Sequence, residues 1–197
     1  MSENIIYPQG STRWIIVVTV ITAAILELLN TSIVNVALKD ISGNLGAASD
    51  EVAWVITAYA IANVIIIPLS GFLADLFGRR NYFTASIAVF TLASFMCGNS
   101  HSIGELIFWR VLQGLGGGAL LPTSQTLLVE TFPPEQLATA NAVFGLGIVL
   151  GPAFGPTLGG YLTDAISWRW VFLSMFLSAL PPASCPPFMY STAERST

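Results

Sequence analysis

Five charged residues, Glu27, Asp75, Arg79, Arg80 and Arg110, stand within or between long apolar runs, where a charge is costly or conspicuous. The segment Gly71-Phe72-Leu73-Ala74-Asp75-Leu76-Phe77-Gly78-Arg79-Arg80 joins the runs Val52 to Leu69 and Tyr82 to Cys97. Each run is about long enough to cross a hydrocarbon core of roughly 30 Å as helix. The segment therefore reads as a short turn that gathers a carboxylate, two guanidinium groups and two glycines between two spans.

Glu27 and Arg110 fall inside runs of their own. A charge at the centre of a span costs about 2.5–3.5 kcal/mol on insertion scales, so such groups are functional candidates by default. Two readings are open. The pair could meet across the bundle as a static ion pair that fixes helix packing. Alternatively, Glu27 gains and loses a proton as Arg110 or a substrate cation competes for it, since a nearby positive charge favours the carboxylate and desolvation favours the acid. Asn30, one turn beyond Glu27, together with Asn35 and Gln113, supplies polar groups for bonds between helices or for contact with a substrate.

Composition sets the class of scaffold. With 54% hydrophobic and 9% charged residues in 197, and a mean hydropathy of +0.72, the chain has too little polar surface to coat a soluble globule. Its net charge of -4 comes without a basic stripe, which argues against nucleic acid as a partner. Cys97 and Cys185 sit in apolar surroundings without metal-like spacing and read as packing thiols; no metal site is expected. His101 is the one histidine, and no nucleophile lies beside a base, so an enzyme is not expected.

Six helical spans are expected, near residues 14–36, 52–73, 82–97, 106–129, 137–162 and 170–180, after a short segment 1–13. The first is too long for the core of a secretory signal and reads as a retained span. Ser42-Gly43-Asn44 with Gly46, Gly98-Asn99-Ser100, and Pro133-Pro134 supply turn chemistry between spans. The runs lack the alternation of a membrane barrel, so the fold class is an all-α bundle of five to six transmembrane helices. Arg13, Arg79 and Arg80 fall on one side, which should be cytoplasmic, and the N-terminus with it.

In the fifth span Gly147, Gly151, Gly155 and Gly159 recur every four residues, which leaves a groove on one face for another backbone. Pro152 and Pro156 form a second row and should bend or loosen this helix.

Together these residues resemble the major facilitator superfamily. GFLADLFGRR is similar to its signature between spans two and three, with Gly71, Asp75, Gly78, Arg79 and Arg80 at the matching places. LIFWRVLQGLGGGAL resembles the fourth-span motif whose arginine is implicated in proton coupling, with Arg110, Gln113, Gly114 and Gly118 in register. GIVLGPAFGPTLGG resembles the antiporter signature, at Gly147, Gly151, Pro152, Gly155, Gly159 and Gly160. LLNTSIVNVALKDI and Ser167-Trp168-Arg169-Trp170 resemble the drug:proton antiporter family with fourteen spans (EmrB/QacA-type), except that Asn30 replaces the usual aspartate and Lys39 the usual proline. Any acidic role in the first span then falls to Glu27.

The resemblance implies the N-terminal half of a transporter that exports small amphipathic or cationic molecules, driven by the proton gradient and needing no cofactor. Expected partners are the lipid bilayer of a bacterial inner membrane, the substrate, and a second half or accessory export subunits. Asp75 would act as a latch by accepting from a helix N-terminus or an arginine in one state. The resemblance ends near Phe172, and the Pro-rich and polar residues 181–197 read as a truncated or frame-shifted end. The competing expectation is an inactive fragment, or a regulatory half-bundle that does not transport alone.

Overall fold

The computed structural model describes the backbone of residues 11–184. It contains six helices: α1 (Ser11–Leu45), α2 (Ser49–Phe77), α3 (Arg79–Gly98), α4 (Ile103–Thr131), α5 (Leu137–Ala165) and α6 (Arg169–Ser184). One 3₁₀ turn, Pro134–Gln136, precedes α5. Among the described residues there is no strand. α1, α2, α3 and the segment Pro134–Ala165 are each long and apolar enough to cross a membrane. α4 matches them in length but carries Arg110, Gln113 and the run Gly116-Gly117-Gly118, all buried.

Several boundaries differ from the sequence expectation. α1 runs through Ser42-Gly43-Asn44 and stops at Gly46, whose φ is +61°. The amide of Ala47 bonds back to the carbonyl of Ser42 at 3.1 Å, which closes the helix end over a left-handed glycine. The ten-residue turn expected at Gly71 to Arg80 shrinks to one residue. Gly71 to Phe77 complete α2, Arg79 and Arg80 begin α3, and Gly78 alone, at φ +82°, turns the chain. Gly71 and Asp75 do not stop α2 because helix persists wherever backbone bonds can form, and only the positive φ needs glycine.

α6 also continues past its expected end near residue 180, through Pro181 and Pro182 to Ser184. Each proline forfeits one amide, but its fixed φ is helical, so two near a helix end can be carried. The remaining tail, 185–197, with Cys185, and most of the N-terminal segment 1–13 lie outside the described residues.

α4 is the hub of the bundle, packed on α1, α2 and α3, while α5 lies along α1 and α6 along α3. Its glycines allow this. A Cβ at Gly114 would fall 2.7 Å from the carbonyl of Tyr59 on α2, and one at Gly116 would fall 2.7 Å from the amide of Phe90 on α3. Apolar side chains such as Val64, Phe72, Leu146 and Val149 point outward, as lipid-facing residues do. At the end of the bundle that carries Gly78, the Arg13 guanidinium donates to Gln136 and lies 3.9 Å from the centre of the Phe132 ring. At the opposite end Arg169 donates to the carbonyl of Gly98 at 3.0 Å and ties α6 to the last turn of α3.

The four-residue glycine row of α5 forms the expected groove, and α1 fills it. Cβ atoms at Gly147 and Gly151 would sit 3.1 Å from Ile21 and Leu28; at Gly155 and Gly159 they would sit 2.6 and 2.7 Å from Ser32 and Ile33. Pro152 and Pro156 face outward, and α5 stays one helix across them. Pro156 has no amide to give the carbonyl of Pro152, one turn back. That carbonyl instead accepts from the Ser32 hydroxyl of α1 at 3.4 Å.

Overpacking a tight contact costs about 1–3 kcal/mol. Gly159→Leu should therefore lower the midpoint of thermal unfolding in detergent by several degrees. Gly160→Ala, with only Val36 at 3.9 Å, should leave it unchanged. Size-exclusion thermostability of the two variants checks this.

Candidate functional site

The buried charges of α1 and α4 meet around one aromatic ring. Arg110 is 1% exposed and Glu27 7%. No ion pair joins them among the described residues, where the ion pairs are those of Arg79. Tyr59 of α2 stands between them: its hydroxyl donates to Glu27 Oε1 at 3.4 Å, and Arg110 Cζ lies 4.1 Å from the centre of its ring. The direct contact considered from sequence is thus replaced by a phenol that serves the carboxylate with its edge and the guanidinium with its face.

Neutral acceptors solvate Arg110. Its Nε donates to the carbonyl of Val55 at 3.0 Å, and its Nη1 donates to Asn30 Oδ1 at 3.1 Å and to Gln113 Oε1 at 2.7 Å. Gln113 Nε2 continues the chain to the Ser94 hydroxyl of α3 at 2.7 Å. Four helices, α1 to α4, thereby converge on one cation. Phe172 of α6 closes the shell, its ring centre 5.9 Å from Arg110 Cζ. Free, buried Cys97 approaches Gln113 Oε1 at 3.9 Å.

Glu27 has a second donor, Asn63 Nδ2 of α2, at 3.2 Å from the same Oε1. Its other oxygen, Oε2, is buried without a hydrogen-bond partner, and so are Asn63 Oδ1 and Asn30 Nδ2. An unpaired buried acceptor costs about 1–3 kcal/mol, more when charged.

The structure sorts the other residues singled out from sequence. Glu27, Asn30, Arg110 and Gln113 come together; Asn35 does not. It is exposed, and its amide bonds within α1 to the carbonyl of Thr31 at 2.9 Å. Five residues separate Asn35 from Asn30, a rotation of about 140° that takes it to another face. The glycines of α5 serve α1 packing, apart from this cluster. Tyr59, Asn63, Ser94 and Val55 belong to the cluster. Of the spans' other aromatics, Trp54 and Phe154 are exposed and Phe144 is core, so Tyr59 alone of these four reaches the buried charges.

At the Gly78 end, Asp75 Oδ1 stands 3.6 Å from Arg79 Nη2, both well exposed. Arg79 also pairs with Glu130 of α4, which ties the start of α3 to the end of α4. Of the two partners proposed for Asp75, the arginine is the one present. Glu130 was missed because its only sequence signal was an acid on the same side as Arg79, some fifty positions away. A cleft of about 160 Å³ lies beneath, lined by Ser70, Gly71, Asp75, Arg79 and Thr126 among others.

Arg110→Lys retains the charge but cannot reach Val55, Asn30 and Gln113 together. Each lost charged hydrogen bond is worth about 1.5–3 kcal/mol. The variant should unfold several degrees below the parent, whereas Arg79→Lys, at an exposed pair worth about 0–1 kcal/mol, should not. Thermal unfolding in detergent measures both.

Known proteins are similar to this chain in sequence and in fold. The profile of the Major Facilitator Superfamily matches residues 20–185. The chain is 43% identical over 164 residues to the probable multidrug resistance protein EmrY of Escherichia coli K12, and 40% identical over 164 residues to the multidrug export protein EmrB of the same strain. Each alignment covers 83% of this chain and 32% of the relative, so the chain spans about a third of the length of these relatives. Its fold superposes on the crystal structure of the D-xylose-proton symporter with a TM-score of 0.75 at 15% identity, over 92% of this chain and 48% of that one. With six helices, four of them converging on a buried arginine, and a matching profile over most of its length, this multi-pass membrane chain belongs to the Major Facilitator Superfamily.

Proposed function

We propose that this chain forms the N-terminal half of a proton-driven exporter of small amphipathic or cationic drugs, in a bacterial inner membrane with the N-terminus and Gly78 on the cytoplasmic side. The observation that carries the reading is Glu27: a buried carboxylate held only by neutral donors, one of which, the Tyr59 hydroxyl, belongs to the ring that the Arg110 guanidinium lies against. The names of the relatives support drug export as the task. Arg13, Arg79 and Arg80 at one end of the bundle support the orientation.

In this mechanism Glu27 binds a proton from one side and releases it when a cationic substrate, or the positive field of Arg110, favours the carboxylate. Tyr59 stays bonded to both partners and carries the change in charge to α2 and α4. At the cytoplasmic end the Arg79 pairs with Asp75 and Glu130 hold α2, α3 and α4 together in one state and separate in the other. Alternating access requires a second bundle rocking against this one. A second helical half, in this or another chain, takes that role, with accessory export subunits as further partners.

The test places this chain in the matching part of E. coli EmrB and follows ethidium efflux from cells lacking their own drug exporters. Efflux that a protonophore stops, and that Glu27→Gln or Arg110→Ala lowers at least about a hundredfold, is expected. A membrane-inserted chimera without efflux would overturn the reading. For orientation, single cysteines replace His101 or Glu135 in a background with Cys97 and Cys185 changed to serine. An impermeant maleimide should label His101→Cys in intact cells and Glu135→Cys only after permeabilisation.

A further inference from the structure

Asn63 bears on Glu27 with one half of its amide and leaves the other half idle. Its Nδ2 donates to Glu27 Oε1 at 3.2 Å, while its Oδ1 is buried without a partner. An amide offers a donor and an acceptor on the same carbon, so turning it by half a turn exchanges the two in place. In the present orientation it suits a carboxylate, which can only accept. In the turned orientation Oδ1 would stand where Nδ2 now stands, ready to accept from the O–H of a protonated Glu27.

The space for that turn comes from α4. A Cβ at Gly118 would lie 2.8 Å from Asn63 Oδ1, and one at Gly117 would lie 2.7 Å from the Tyr59 hydroxyl. Only glycine at these two positions leaves both donors of Glu27 unobstructed. The Tyr59 hydroxyl has the same dual capacity, since it can donate to the carboxylate or accept from the acid.

We propose that Asn63 is a positioning residue that supports Glu27 in both of its charge states, donating to the carboxylate through Nδ2 and accepting from the acid through Oδ1. The inference rests on the reading of Glu27 as a proton-exchanging group. The proton comes from water at one face as H⁺, adds to Oε1, and leaves to water at the other, so no other bond forms or breaks. Among the described residues, the charged or titratable groups around Glu27 are Tyr59 of α2 and Arg110 of α4. Cys97 of α3 lies beyond Gln113. α5 meets α1 with glycines, and Arg169 of α6 is engaged with Gly98.

The test uses the 197-residue chain in lipid nanodiscs and dicyclohexylcarbodiimide, which reacts with buried carboxyls in their protonated form. Labelling of the Glu27 peptide is read by mass spectrometry from about pH 5 to about pH 9. In the parent it should fall along a titration curve. Asn63→Asp keeps the size but removes the N–H, and Asn63→Leu removes both amide functions. Asn63→Asp loses the donor that favours the carboxylate and keeps an acceptor for the acid, so the midpoint should move up by about one pH unit or more, a tenfold change in proton affinity, whereas Asn63→Leu loses both supports and should move it less. Asn63→Gln, which restores an amide, should return part of the shift. Asn63→Asp, nearly isosteric, serves if Asn63→Leu does not fold, with size-exclusion profiles as the control. Coincident midpoints in a folded Asn63→Asp chain and the parent would overturn the inference while leaving Glu27 as a titrating group. A parent whose labelling does not change with pH would overturn both.

Discussion

A guanidinium with no water to solvate it must find its hydrogen-bond acceptors in protein, and the bundle is arranged to supply them to Arg110. Val55 gives a backbone carbonyl from α2, Asn30 an amide oxygen from α1, and Gln113 another from the next turn of α4, with Ser94 of α3 behind it. Burying an unpaired charge is costlier than any packing gain nearby. The positions of four helices are therefore constrained by one side chain. The glycines of α4 follow from this demand, since acceptors on three neighbouring helices reach a common point only if those helices come close to α4.

Neutral acceptors, rather than a direct carboxylate, give the site its character. A tight ion pair between Glu27 and Arg110 would hold both charges fixed, because each would lose its partner when the other changed state. With Tyr59 between them, the guanidinium keeps its own solvation and the carboxylate keeps only two neutral donors. The change of charge proposed for Glu27 would then reach Arg110 as a change in field, without leaving a buried cation bare.

Much of this was readable in the chain itself, and the reasons for the gaps are physical. Glu27 and Arg110 announced themselves because charge inside an apolar run is improbable without a purpose. The four-residue spacing from Gly147 to Gly159 defined a helix face before anything was known to lie on it. Tyr59 and Asn63 gave no such signal: one tyrosine and one asparagine in an apolar helix are ordinary. Their part in the site comes from how near α4 approaches, which Gly117 and Gly118 decide from some sixty positions away. Asn30 and Asn35 carried equal weight as residue types, and only the helix period separated them. The ten residues from Gly71 looked like a loop because glycine and charge often interrupt helices. Local composition does not reveal that the backbone keeps its bonds up to Gly78.

The bond from Ser32 to the carbonyl of Pro152 has a wider bearing. In an ordinary helix each carbonyl is satisfied from within, and the rod is free to drift from its neighbour. α5 lacks that independence at two carbonyls, those of Ile148 and Pro152, because the proline a turn after each has no hydrogen to lend, and at Pro152 the Ser32 hydroxyl takes its place. A carbonyl left bare in hydrocarbon finds no water in exchange. α1 and α5 therefore behave as a tethered pair, free to roll or slide only within a hydroxyl's reach. The helix that carries the acid thus takes its bearing from a helix whose one charged residue, Asp164, lies in its last turn.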